Sequence, residues 1–138
     1  MNKAFKYRLY PSKEQEILIQ KTFGCCRFIY NKMLGDKITY YQETKQVLKN
    51  TPVQYKSEFE WLKEVDGYAL CNEQLHVQAA FNNFFQNPKI GFPKFKSKKF
   101  DRKSYTTNCV HNSIRIVAQN KIQLPKLGIV RFIEHRRI

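Results

Sequence analysis

The stretch KAFKYRLYPSKEQ, residues 3–15, joins the pattern of a strand to the start of a helix. Every second residue from Phe5 to Leu9 is apolar, and this two-residue period is typical of a half-buried strand. Pro11 is expected to end that strand. Ser12, with a glutamine three positions later, has the pattern of a capping box at the beginning of a helix. The chain is therefore predicted to open with a strand that leads directly into a helix.

The helices that follow are predicted from apolar periodicity and from their start signals. Gly24 lies within the first helix and is expected to weaken it or to break it in two, which would give residues 12–34 a helix-turn-helix-like start. A further helical segment is expected to begin at Gly35. Asp66 is expected to cap the clearest helix, residues 67–87, whose apolar stripe has helical spacing and is predicted to pack in the core.

After Pro88 the sequence changes from helical patterns to a basic loop, residues 88–103, and then to strand patterns. The predicted strands are SYTTNCV (104–110), SIRIVA (113–118), KIQLP (121–125) and GIVRFIEH (128–135). A hairpin turn is expected at 119–120. The order of strand, helices, basic loop and strands predicts an α+β fold in which helices are inserted within a β-module.

The charge of the chain is concentrated in its last third. The net charge is +14, and residues 89–138 contain 13 Lys/Arg but only two acids, Asp101 and Glu134. Such an excess of one sign favours an anionic partner, and phosphate neutralisation makes nucleic acid the best candidate. No apolar run is long enough for a membrane helix and no signal peptide begins the chain, so a cytosolic protein without a membrane partner is expected.

The residues show no pattern of a catalytic or metal site. The four cysteines lack a C-x-x-C pair and the three histidines are scattered, so neither zinc nor another cofactor is expected. Phosphate-binding, zinc-protease and nucleophile-elbow motifs are not found. The acids of residues 58–66 lie in one short stretch, which is more typical of a solvated helix flank than of a two-metal site.

Binding chemistry is better represented, above all in GFPKFKSKKF, residues 91–100. Its lysines can follow a phosphate backbone, while its phenylalanines can either stack on bases or anchor the loop in the core. Cations also alternate with buried positions along the predicted strands, so Lys6, Arg8, Arg115 and Arg131 are expected to share one exposed face.

Five ordered blocks of the sequence resemble the TnpB (OrfB-type) proteins of bacterial insertion sequences. The blocks are NKAFKYRLYPSKEQEILIQKTFGCCRFIYNKML (2–34), WLKEV (61–65), FNNFFQN (81–87), GFPKFKSKK (91–99) and IQLPKLGIVRF (122–132). The resemblance covers nearly the whole chain and implies similarity to RNA-guided DNA endonucleases. It also implies a partial wedge-type β-barrel, residues 1–10 plus 93–138, and an inserted helical recognition lobe, residues 11–92.

The resemblance implies guide RNA and double-stranded DNA as partners, with base pairing supplying most of the sequence specificity. Members of the family continue into a RuvC-like nuclease domain and a zinc ribbon, whereas this sequence stops at Ile138. The chain is therefore expected to be a non-catalytic, nucleic-acid-binding N-terminal fragment, whose nuclease portion could be encoded separately. The alternatives are a guide-dependent DNA-binding regulator and a simple helix-turn-helix DNA-binding protein.

The residues predicted to contact nucleic acid are basic or aromatic side chains of the first strand, the first helix, the basic loop and the later strands. They are Lys6, Arg8, Arg27, Lys32, Lys94, Lys96, Lys98, Lys99, Arg102, Lys103, Tyr105, Lys126 and Arg131. No catalytic residue and no metal ligand is predicted.

Overall fold

The computed structural model describes residues 4–100 and 103–137. Its strands are β1 (Phe5–Tyr10), β2 (Arg115–Ala118), β3 (Lys121–Leu124) and β4 (Gly128–Arg137). Its helices are α1 (Lys13–Thr44), α2 (Pro52–Glu58) and α3 (Gly67–Gln86), with short 3₁₀ turns at Glu60–Glu64, Pro88–Ile90 and Lys98–Phe100. The prediction of an α+β fold is confirmed.

The four strands form one antiparallel sheet in the order β1-β4-β3-β2. β1 pairs with β4 along its whole length, with a bulge in the register between Lys6 and Tyr7. Among the described strands the sheet is open rather than closed into a barrel. The wedge-type barrel and the inserted recognition lobe therefore stay predictions.

The capping box at the start of α1 forms as predicted. The Ser12 backbone N–H donates to Gln15 Oε1 at 3.0 Å, and the Gln15 backbone N–H donates to Ser12 Oγ at 3.3 Å. Gln15 Nε2 also donates to the carbonyl oxygen of Ile129 at 2.7 Å. One glutamine thus satisfies a free backbone group of the helix and ties its first turn to β4.

The expected interruption of the first helix is wrong. α1 runs for 32 residues through both Gly24 and Gly35 without a break. A glycine inside a helix costs only about 1 kcal/mol relative to alanine. Ile29, Met33 and Leu34 are fully buried on this helix, and burying each such side chain contributes about 1.5–3 kcal/mol. Packing therefore outweighs the local preference of the glycines.

The strand expected at residues 104–110 is also wrong, whereas the other strand predictions and the turn at 119–120 are confirmed. The polar groups of this segment bond to α3 and its N-cap instead of to a neighbouring strand. The Thr107 hydroxyl donates to the Asp66 carboxylate, and Asn72 Nδ2 donates to the carbonyl oxygen of Thr106 at 3.2 Å. These contacts hold Thr106 and Thr107 to the helical unit, and residues 104–110 form no strand.

The prediction for α3 is confirmed. Asp66 is its N-cap and accepts a hydrogen bond from the backbone N–H of Tyr68 at 2.9 Å. Leu70, Val77 and Phe81 of the predicted stripe are buried. These three residues therefore belong to the core of the helices, whereas Phe85 at the edge of the stripe is exposed.

Contacts between residues divide the chain into two compact units. The sheet unit comprises Met1–Gln20 with Asn108–Ile138, and the helical unit comprises Lys21–Thr107. Both units contain some of the basic residues that are predicted to bind nucleic acid. The predicted assignment of residues 1–10 plus 93–138 and 11–92 to a wedge module and a recognition lobe stays a prediction.

Candidate nucleic-acid interface

The sheet unit has one face that packs and one face that is exposed. Ile122, Val130 and Phe132 are buried on the packed face, where the Tyr7 ring meets Phe132 edge to face at a centroid distance of 5.2 Å. Because successive side chains of a strand point to opposite faces, the residues between these positions form the other surface. We call this other surface the outer face.

The strand register places cations from all four strands on the outer face. Arg131 of β4 lies opposite Tyr10 of β1 on one side and opposite Lys121 of β3 on the other. Arg8 lies opposite Ile133, and Arg115 of β2 lies opposite Gln123. The outer face comprises Lys6, Arg8, Tyr10, Arg115, Lys121, Gln123, Ile129, Arg131 and Ile133. The expectation that Lys6, Arg8, Arg115 and Arg131 share a face agrees with this register.

Positively charged side chains lie close together on the outer face. Lys121 and Arg131 are directly opposed in the ladder and both are exposed. The Arg131 guanidinium lies 5.7 Å from the centre of the Tyr10 ring, within the range of a cation–π contact. None of the outer-face side chains is acidic, so the cations repel each other without a counter-ion from this surface.

The chemistry of the outer face is both ionic and apolar. Tyr10, Ile129 and Ile133 are each at least 43% exposed between the cations. An aromatic ring and two aliphatic side chains can contact bases or sugars, while the cations contact phosphates. The outer face thus combines cations with exposed aromatic and aliphatic side chains, a mixture that can contact nucleic acid.

Lys121 and Tyr10 were missed by the sequence analysis. Both are exposed on the outer face next to Arg131. Alternation in the segment KIQL, in which Lys121 and Gln123 flank the buried Ile122, could have identified Lys121. Lys126, which was predicted, lies exposed in the turn between β3 and β4 with a φ of 66°.

The basic loop belongs to the helical unit, where Phe92 anchors it. The Phe92 ring lies 4.7 Å from Phe84, 6.3 Å from Phe81 and 6.2 Å from Tyr41, all as centroid distances. Phe95 is 58% exposed and lies over Gly35 of α1. Phe92 therefore anchors the loop in the core, whereas the exposed ring of Phe95 could stack on a base.

The predicted lysines of the loop divide into exposed and internally bonded ones. Lys94, Lys98 and Lys103 are exposed and form no salt bridge with another described residue. Lys99 is exposed and interacts with a neighbour. Lys96 is turned inward and contacts helices α1 and α3. Arg102 was also predicted and lies outside the described residues.

The remaining predicted residues are held by contacts within the helical unit. Lys32 Nζ lies 3.5 Å from Asp36 Oδ1, and Arg27 is partly buried and interacts with a neighbour. Tyr105 packs edge to face against Phe23, at a centroid distance of 6.1 Å. Burial raises the pKa of the Tyr105 hydroxyl to about 12. These three side chains are thus less available to a ligand than the lysines of the loop.

Residues 4–100 and 103–137 contain no group of three or more His, Cys, Asp or Glu side chains that could hold a metal ion. Within the same described ranges, no helix is long and apolar enough to cross a membrane.

Comparison with protein families gives one match, a helix-turn-helix domain of OrfB and IS605 type, over residues 1–46. In the described part of that range the chain forms β1 and the single helix α1. The matched region therefore includes the first outer-face cations and the beginning of the helical unit.

Three curated proteins are similar to the chain. A candidate RNA-guided DNA endonuclease of Streptomyces pristinaespiralis is 37% identical over 75% of this chain and 27% of its own length. InsQ of Escherichia coli K12, also named as a candidate RNA-guided DNA endonuclease, is 29% identical over 98% of this chain and 34% of its own length. The virulence protein VsdF of Salmonella dublin is 33% identical over 71% of this chain and 95% of its own length. The chain thus spans about a third or less of the first two relatives and nearly all of the third.

Proposed function

Because the chain belongs to the TnpB (OrfB-type) family of insertion-sequence proteins, we propose that it binds nucleic acid and that its ligands are a guide RNA and double-stranded target DNA. The observation that carries the proposal is the outer face, where cations from four strands lie together without an acidic side chain. Each phosphate that such a surface neutralises releases a counter-ion, which favours association.

The basic loop supplies a second surface in support of the proposal. Lys94, Lys98 and Lys103 are exposed, and Phe95, which follows Lys94 in the chain, has a half-exposed ring. Phosphate contacts position a protein on nucleic acid, whereas guide RNA would supply the sequence specificity by base pairing. The loop is therefore proposed to contact the backbone and not to read the sequence.

We further propose that these 138 residues bind without cutting. Of the acids at residues 58–66, Glu64 pairs with Lys21 and Asp66 caps α3; elsewhere in the helical unit, Asp36 accepts from the Tyr55 hydroxyl at 2.7 Å and Glu73 contacts Lys96. Two-metal nucleases need several carboxylates that converge on the ions. Incubation with guide RNA, target DNA and Mg²⁺ is expected to leave the DNA intact, and metal-dependent cleavage would refute the proposal.

A simple helix-turn-helix DNA-binding protein was one of the two alternatives, and the continuity of α1 gives it less support. Such a reader inserts the second of two short helices, joined by a turn, into the major groove. Here residues 13–44 form one helix of 32 residues. The outer face and the basic loop are therefore the better candidates for the contact with nucleic acid.

The test compares three variants that each lose three positive charges. One changes Arg8, Lys121 and Arg131 of the outer face to glutamine, and one changes Lys94, Lys98 and Lys103 of the loop. The control changes three exposed lysines elsewhere, which are Lys13, Lys49 and Lys63. We expect the first two variants to bind an RNA hairpin and duplex DNA more weakly than the control does. Equal losses in all three would mean that only net charge matters, and the proposed surfaces would be wrong.

A further inference from the structure

The side-chain amide of Asn31 in α1 binds both main-chain groups of Lys96 in the basic loop. The Lys96 backbone N–H donates to Asn31 Oδ1 at 2.7 Å, and Asn31 Nδ2 donates to the Lys96 carbonyl oxygen at 2.8 Å. The amide therefore satisfies both main-chain groups of one loop residue, as a neighbouring strand would. A loop residue bonded in this way loses the freedom to rotate about its backbone.

The side chain of Lys96 also contacts both helices. Its Nζ lies 4.3 Å from the centre of the Tyr30 ring and 3.5 Å from Glu73 Oε1. Glu73 is 7% exposed, and its other carboxylate oxygen lies 2.8 Å from His76 Nδ1. Because a buried carboxylate is costly without a partner, Glu73 holds the ammonium group in place.

These contacts decide which lysines of the loop face the solvent. With Lys96 turned inward between α1 and α3, its neighbours Lys94 and Lys98 stay exposed on either side of it. Phe92 anchors the same loop two residues before Lys94. The loop is thus held at two points, and the exposed lysines lie next to them.

We infer that Asn31 and Glu73 are positioning residues, which preorganise the basic loop so that Lys94 and Lys98 meet a nucleic-acid backbone at low entropic cost. The inference rests on the proposed function, and it adds residues that do not themselves touch the ligand. A segment that is ordered before binding loses less conformational entropy on binding than a mobile one. We call the contacts of Asn31, Tyr30 and Glu73 with Lys96 the clamp.

The test measures affinity for a fluorescent RNA hairpin and for duplex DNA at one salt concentration. Asn31→Ala removes both hydrogen bonds of the clamp to the loop backbone, and Asn82→Ala, an exposed asparagine of α3, is the matched control. We expect Asn31→Ala to weaken binding about 5- to 30-fold, which corresponds to the cost of ordering one residue. The Lys96 amide should also exchange its hydrogen faster, while Asn82→Ala should change neither quantity.

A second variant separates positioning from simple charge. Glu73→Gln raises the net charge by one, so a general electrostatic effect would strengthen binding to a polyanion. The clamp predicts the opposite result, because a neutral amide binds the ammonium group of Lys96 less strongly than a carboxylate does. Glutamine keeps the size of the side chain and can still bond to His76, so the fold is expected to survive the change.

A double-mutant cycle shows whether the clamp acts through the loop lysines. In a chain that already carries Lys94→Gln and Lys98→Gln, Asn31→Ala should have little further effect on affinity. An unchanged effect in that background, or tighter binding by Glu73→Gln, would overturn the inference. If the original chain binds but Asn31→Ala binds equally well, the clamp alone is refuted. If the original chain does not bind at all, the proposed function fails and the positioning role fails with it.

Discussion

Replacing Lys121 by glutamine is expected to stabilise the sheet unit and to weaken nucleic-acid binding at the same time. Lys121 lies directly opposite Arg131 in the ladder between β3 and β4, and both side chains are exposed. Two like charges in this arrangement repel each other, and the outer face offers no acidic side chain to compensate. A surface selected only for stability would not keep such a pair.

The size of the effect follows from the pairing. Cross-strand pairs contribute roughly 0.2–1 kcal/mol, and a like-charge pair is unfavourable by a similar amount. Removal of the repulsion should therefore raise the free energy of unfolding by about 0.2–1 kcal/mol at low salt. The gain should shrink at high salt, because exposed charges are screened over about 8 Å at physiological ionic strength. The binding slope against salt should fall by about 0.7–0.9, the contribution of one phosphate contact.

The assay is urea unfolding at two salt concentrations, together with a salt titration of RNA binding. Lys126→Gln is the control, because Lys126 is exposed in the turn after β3 and has no cation paired with it in the ladder. Its stability should change little at either salt concentration. A loss of stability in Lys121→Gln, or a gain that high salt leaves unchanged, would refute the account of the outer face.

Three further predictions concern stability. Gly24→Ala should raise the free energy of unfolding by about 0.5–1 kcal/mol, because Gly24 lies within a continuous helix and an added Cβ would be 3.7 Å from the nearest neighbouring side chain. Gly128→Ala should lower the free energy of unfolding by about 1–2 kcal/mol, because Gly128 has a φ of 80°. Urea unfolding that gives both changes the same sign would contradict the helix or the turn. Asp66→Ala should lower the free energy of unfolding by about 2–4 kcal/mol, because it removes the N-cap of α3 and leaves the Thr107 hydroxyl without its acceptor. Asp66→Asn should lower it less, and an equal loss in both variants would mean that capping contributes little. Burial raises the pKa of Cys25 to about 11 and that of Tyr105 to about 12, above the unfolded values of about 8.5 and 10, so the native state binds more protons and stability should fall as the pH rises from about 9 to 12. Tyr105→Phe should flatten this decline in thermal unfolding, and an unchanged pH profile would show that Tyr105 does not contribute to it.

The sequence predicts most of the elements because their signals are local. The alternation around Tyr7, the capping box of Ser12 and the N-cap Asp66 each act within a few residues, and all three are confirmed. The length of α1 was mispredicted, because burial of side chains distant from Gly24 decides whether the helix continues. The local preference of one glycine contains no information about that packing.

The candidate site was predicted less completely, for the same physical reason. Alternation identified Arg8 and Arg131, but only the strand register places them beside Lys121 and Tyr10. As a lysine in a basic loop, Lys96 was expected to bind phosphate, but its contacts with Tyr30 and Glu73 turn its side chain inward. Sequence composition thus finds the basic segments, and tertiary contacts decide which of their cations face a ligand.

The most direct test of the account is the affinity of the full chain for an RNA hairpin and for duplex DNA as a function of salt concentration. The proposed outer face and basic loop predict that the logarithm of the association constant falls linearly with the logarithm of the salt concentration. Lys94, Lys98 and Lys103 alone should account for about 2–3 units of the slope. Binding that does not depend on salt, or no binding at low salt, would contradict the claim that these basic surfaces hold nucleic acid.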